Sequence, residues 1–136
     1  MRILVADDEW LSRAGLVKLV EERGHEVVGQ ARDGFEALEQ ARALRPDVVL
    51  LGIRMSHCNG LEATRLIRAE LSDIEIVLVA GEREGGDLAE TLSSVIAGYV
   101  PRDRPAEELT RVLDGLANGL RPEGVPAPAR KEKQCP

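Results

Sequence analysis

Arg45-Pro46-Asp47-Val48-Val49-Leu50-Leu51-Gly52 is the stretch that decides the fold. Pro46 stops any helix arriving from the N-terminal side, and four apolar residues then follow without a polar one among them. A strand with one wet face alternates apolar and polar residues. A run that is apolar at every position predicts a strand covered on both faces, as at the centre of a parallel sheet. Ile3-Leu4-Val5-Ala6 and Ile76-Val77-Leu78-Val79-Ala80 have the same character.

Working outward, five strands are expected near Arg2–Ala6, Glu26–Gln30, Val48–Leu51, Glu75–Ala80 and Ala97–Val100. The second, Glu26-Val27-Val28-Gly29, is more polar and reads as an edge. Helical patterns fill the gaps. Ala37, Leu38, Ala41 and Leu44 fall on one stripe, and Leu109, Val112, Leu113 and Leu116 on another. Pro105 before Ala106-Glu107-Glu108 suits a helix start, with acidic residues at the positive end of its dipole. Gly24 is expected to close the first helix and Gly119 the last. Five βα units predict a doubly wound α/β domain with five helices, and the flavodoxin-like strand order 2-1-3-4-5 is the natural candidate. Sites in such sheets lie outside the carboxyl ends of the strands, which places Asp7, Asp8, Gly52, Ala80 and Arg102 together.

The domain is expected to span residues 1–119. Residues 120–136, with Pro122, Pro126, Pro128, Pro136, Arg130, Lys131 and Lys133, read as a flexible Pro-rich tail or linker. The 136 residues suffice for one domain, and with 43% hydrophobic but only 2% aromatic residues its core must be aliphatic. No apolar stretch approaches the roughly 20 residues of a membrane span, and no signal peptide precedes the first strand, so a cytoplasmic protein is expected. A net charge of −6 argues against direct nucleic-acid binding. Cys58 and Cys135 read as thiols without a role. The loop Ser56-His57-Cys58-Asn59 offers too few ligands for zinc, and His25 lies far away in sequence. A flavin enzyme would need a loop of backbone N–H groups after the first strand; Asp7-Asp8-Glu9 would repel its phosphate. No enzymatic activity is expected.

Taken together, Asp7-Asp8 after the first strand, Met55 three residues after Gly52, and Asn59-Gly60-Leu61 make the chain resemble the receiver domain of two-component response regulators. Arg13-Ala14-Gly15-Leu16 and Gly60-Leu61-Glu62-Ala63-Thr64 resemble regulators that carry a C-terminal helix-turn-helix. The resemblance implies that Asp7 and Asp8 match the Mg²⁺-holding acidic pair, Asp8 being the more direct ligand. It also implies that the phosphate-accepting aspartate maps to Gly52, which has no side chain to attack a phosphoryl donor. Ala80 stands where the family has a hydroxyl residue, Arg102 where it has a lysine, Ser56 where it has a proline, and Val95 where it has a glycine. Tyr99 matches the switch aromatic.

These departures imply a degenerate receiver that signals without phosphorylation, as a dimerisation or interaction module. Its partner surface would run from about Asp87 to Asn118. A DNA-binding output domain beyond this sequence and a stand-alone docking domain both remain open. Two alternatives stay beside that reading: a small-molecule sensor using the space at Gly52 and Ala80, and a receiver phosphorylated on a displaced carboxylate, Asp7 or Asp8. Mg²⁺, if bound at all by Asp7 and Asp8, would be held weakly, because each carboxylate matters to so hard an ion. Arginine carries a permanent charge in a planar fork. Arg102 would either fold over the acidic pair and replace metal and phosphoryl group as its counter-charge, or stand exposed in solvent.

Overall fold

The computed structural model describes residues 1–53, 60–81, 95–103 and 105–118. Five parallel strands, β1 (Arg2–Ala6), β2 (Glu26–Ala31), β3 (Val48–Gly52), β4 (Glu75–Ala80) and β5 (Gly98–Pro101), form one sheet in the order β2-β1-β3-β4-β5. The helices are α1 (Trp10–Glu22), α2 (Gly34–Leu44), α3 (Gly60–Glu70) and α4 (Pro105–Ala117). The fold is the expected flavodoxin-like one. The helix expected between β4 and β5, the loop at residues 54–59, and the tail with Gly119 and Cys135 lie outside the described residues.

The all-apolar strands are what a sheet covered on both faces requires. Successive side chains point to opposite faces, so each strand feeds two cores. Leu4, Ala6, Val49 and Leu51 join Ala37, Ala41, Ala63 and Ile67 on one side. Ile3, Val5, Val48 and Leu50 join Leu16, Val20, Leu109 and Leu113 on the other. β2 is an edge strand, and of its residues only Ala31 is fully buried, which accounts for its mixed composition.

The strand ends differ slightly from the expected ones. β3 continues through Gly52, which pairs with Val79, and β2 continues to Ala31, which pairs with Ala6. β5 starts and ends one residue later than expected. Pro101 is tolerated as a partner of Ala80 because β5 is an edge strand and needs no donor on its outer side.

Local signals fix the helix ends. The Asp33 carboxylate accepts the Glu36 N–H at 2.9 Å and caps α2. Gly24, at φ 86°, ends α1 in a left-handed turn that closes on the Glu21 carbonyl. Gly60 begins α3 in contact with the end of β3, its N–H bonded to the Ile53 carbonyl at 2.9 Å. That contact sets the start of α3 against the third strand's carboxyl end.

Candidate functional site

The carboxyl ends of β1, β3, β4 and β5 meet around one ion pair whose carboxylate is buried. Asp7 leaves the tip of β1 with its N–H bonded to the Ala31 carbonyl, and it is only 1% exposed. One carboxylate oxygen, Oδ1, accepts the Glu9 N–H at 3.0 Å. The other, Oδ2, accepts the Ser12 hydroxyl at 2.9 Å and the Arg102 Nη1 at 3.2 Å. The same Nη1 reaches the Ser12 Oγ at 3.0 Å, so aspartate, serine and arginine close a triangle.

Asp7 also serves the start of α1. Glu9 occupies the N-cap position but makes no side-chain cap bond, and Asp7 accepts from the backbone and from the first turn instead. The Arg13 guanidinium donates to the Asp7 carbonyl at 2.7 Å and to Gln30 Oε1 at 3.2 Å, tying α1 to the edge strand. The buried carboxylate is thus fully hydrogen-bonded, as a buried charge must be.

Arg102 reaches this pair from the far side of the sheet. Its backbone N–H is held by the Ala80 carbonyl at 2.7 Å, which anchors the turn after β5. β3 and β4 lie between β5 and β1, and they end in Gly52 and Ala80, residues with little or no side chain. The guanidinium therefore lies over the strand tips, with Nη2 3.5 Å from the Val79 carbonyl. A Cβ added at Gly52 would sit 3.5 Å from Asp7 Oδ2 and 3.6 Å from Arg102 Nη2. The backbone of Gly52 does not demand glycine, and there is room for a methyl group. A carboxylate there would meet the arginine as its nearest cation.

The sequence expectation of a clamp over both acidic residues is narrower in the structure: Arg102 pairs with Asp7, while Asp8 is exposed. Sequence reasoning misses Ser12, although its place five residues after Asp7, in the first turn of α1, is the signal that could have found it. Tyr99 is half-buried against the face that holds Ala80, and its hydroxyl donates to the Gly81 carbonyl at 3.2 Å. His25 sits far from this site, at the start of β2, with Nδ1 2.9 Å from the Met1 amino group. Burial, with help from that ammonium, lowers its pKa. Ser56, His57 and Cys58 lie outside the described residues.

The profile of the response regulator receiver domain matches residues 3–114. The chain belongs to the response regulator receiver family. Among curated receivers it is 37% identical to the response regulator GacA of Pseudomonas viridiflava over 122 residues, covering 89% of this chain and 57% of that protein. It is 32% identical to the transcriptional regulatory protein LnrK of Bacillus subtilis, over 88% of this chain and 54% of that one. The chain thus spans about half the length of these relatives. Among solved structures, a LuxR-family two-component response regulator from Aurantimonas superposes with a TM-score of 0.79 at 29% identity, covering 88% of this chain and 86% of that one. The receiver domain of NarL from Mycobacterium tuberculosis gives 0.77 at 31% identity, covering 87% and 96%.

Receivers of this family imply a Mg²⁺ ion, and the residues present do not fit one. Among the described residues no three potential ligands of the His, Cys, Asp or Glu type come together. Asp7 Oδ2 is already committed to a hydroxyl and a cation, and Gly52 supplies no oxygen from a side chain. The Arg102 guanidinium beside Asp7 repels a second positive charge, and exposed Asp8 is then the one carboxylate of the pair left without that cation.

Replacing Arg102 with alanine should destabilise the domain by about 1 kcal/mol, because a buried carboxylate loses its cation but keeps two hydrogen bonds. The cost stays modest because the arginine side chain is 37% exposed and partly screened. Thermal unfolding of the variant checks this; an unchanged midpoint would show that the pair contributes nothing to stability.

Proposed function

We propose that this receiver domain acts without phosphorylation, as an interaction module held in one signalling state. The observation that carries this reading is Gly52. It ends β3 at the position the family uses for its acceptor, and it brings no nucleophile to a site whose remaining buried carboxylate is already paired with Arg102. Three further features support it. Ala80 has no hydroxyl to draw toward a phosphoryl oxygen, the Tyr99 hydroxyl is engaged by the Gly81 carbonyl, and Arg102 is engaged by Asp7 and Ser12. The domain performs no chemistry of its own on this reading, and it works in the cytoplasm.

Its output would be protein contact: association with a second copy or docking on an output domain through the region from Asp87 to Asn118. Of that region only residues 95–103 and 105–118 are among the described ones. One relative is named a transcriptional regulatory protein and one similar structure a DNA-binding response regulator, and an attached DNA-binding domain is the output we propose for the full-length protein. A small-molecule sensor is less favoured, because Arg102 lies over the space at Gly52 that such a ligand would need.

Amide NMR spectra recorded with and without Mg²⁺ and beryllofluoride, a phosphoryl mimic, test the fixed state. Resonances of Gly52, Ala80, Tyr99 and Arg102 should not move. A coordinated shift of these residues would show a working switch and would refute the proposal.

A further inference from the structure

We infer that Arg102 is a tethered replacement for the metal ion, and that it and Gly52 are coupled, so that restoring the acceptor carboxylate alone would not restore a cation site. This inference rests on the phosphorylation-independent reading of the domain and adds a physical reason for it. The geometry is specific. Arg102 Nη1 lies 3.2 Å from Asp7 Oδ2, and Nη2 lies 3.6 Å from where the Cβ of residue 52 would stand. A carboxylate grown from that Cβ has the guanidinium as its nearest cation. One arginine fork can pair with two carboxylates, since it carries five N–H donors. Gly52→Asp would therefore place Arg102 as a bridge between Asp7 and the new carboxylate, and would not leave a vacant acidic pocket.

The charges lead to the same result. The present site holds one buried carboxylate and one guanidinium, a neutral pair. Adding a carboxylate at position 52 leaves a net charge of −1 around a cation that cannot diffuse away. Mg²⁺ has a strongly held hydration shell and would have to displace that tethered cation. Removing Arg102 from the Gly52→Asp variant leaves two facing carboxylates, with Asp8 exposed beside them, and no cation. Like charges in a part-buried site raise the free energy of the folded state until a cation enters. Binding to that folded state then appears as stabilisation.

The test is thermal unfolding of three proteins, the natural chain, Gly52→Asp and Gly52→Asp/Arg102→Gln, each with Mg²⁺ or NaCl at matched ionic strength. The natural chain and Gly52→Asp should melt at the same temperature with or without Mg²⁺, and the double variant should gain about 5 °C at about 10 mM Mg²⁺. A Mg²⁺-dependent rise in the natural chain or in Gly52→Asp overturns the inference, and so does a folded double variant that shows none. Should the double variant not fold without metal, recovery of folding on adding Mg²⁺ is the expected result, and failure to recover counts against it. Trp10, two residues beyond Asp8 and 68% exposed, gives an independent fluorescence readout. A natural chain that binds Mg²⁺ but takes no phosphoryl group would refute this inference and leave the phosphorylation-independent reading intact.

Discussion

Gly60→Ala should destabilise the domain by about 3 kcal/mol and lower its melting temperature by about 10 °C. A Cβ at this position would be driven onto the Gly52 carbonyl oxygen and would lie 2.9 Å from Ile53 Cα and 3.1 Å from the Gly52 carbonyl carbon. All three obstacles are backbone atoms, so no side chain can swing aside to make room. The only relief is to move α3 away from β3. That movement breaks the Gly60 N–H bond to the Ile53 carbonyl and loosens Ala63, Thr64 and Ile67, which are buried on the same helix. Alanine has the higher intrinsic helix propensity by about 1 kcal/mol, so a stabilised variant would be expected if propensity decided the outcome. Urea unfolding of the two proteins separates these possibilities. An unchanged or higher midpoint in Gly60→Ala would mean that α3 does not press on β3 as described.

The second large effect is in the core. Leu50→Ala should cost about 3–4 kcal/mol, near the middle of the range for buried leucines. Leu50 is fully buried on a central strand, paired with Val5 on one side and Val77 on the other, and packed in the core shared with α1 and α4. Both neighbouring strands are hydrogen-bonded on either side, so the sheet cannot collapse into the cavity. Leu50→Ile, which conserves volume, should cost under about 1.5 kcal/mol. Equal losses for the two substitutions in urea titrations would contradict the close packing argued here.

Much of this architecture can be read from the chain because its apolar runs carry no polar interruption. Ile3–Ala6, Val48–Leu51 and Ile76–Ala80 have no wet face, and a parallel sheet covered on both sides accommodates three such strands. The ends are less legible. Gly52 carries no side-chain signal, so nothing in the sequence shows that the β3 ladder continues to it, and Pro101 looks like a strand terminator until its edge position is known.

At the site, the missing carboxylate at position 52 is visible directly, and the charges of Asp7 and Arg102 mark them as candidates. Three things are not visible. A hydroxyl in a first helical turn is common, so Ser12 gives no reason to be linked to Arg102. The acidic pair reads as a unit in sequence, yet the chain leaves the sheet after Ala6 with Asp7 still buried and Asp8 exposed. The Val79 carbonyl, 3.5 Å from Arg102 Nη2, is a backbone acceptor and carries no residue signal at all.

The central claim is that this receiver takes no phosphoryl group. The most direct measurement is the intact mass of the domain after incubation with acetyl phosphate and Mg²⁺, taken promptly so that an acyl phosphate would not have hydrolysed. The account predicts an unchanged mass. A gain of one phosphoryl group would contradict it, and mapping the adduct to Asp7 or Asp8 would identify the acceptor that takes the place of Gly52.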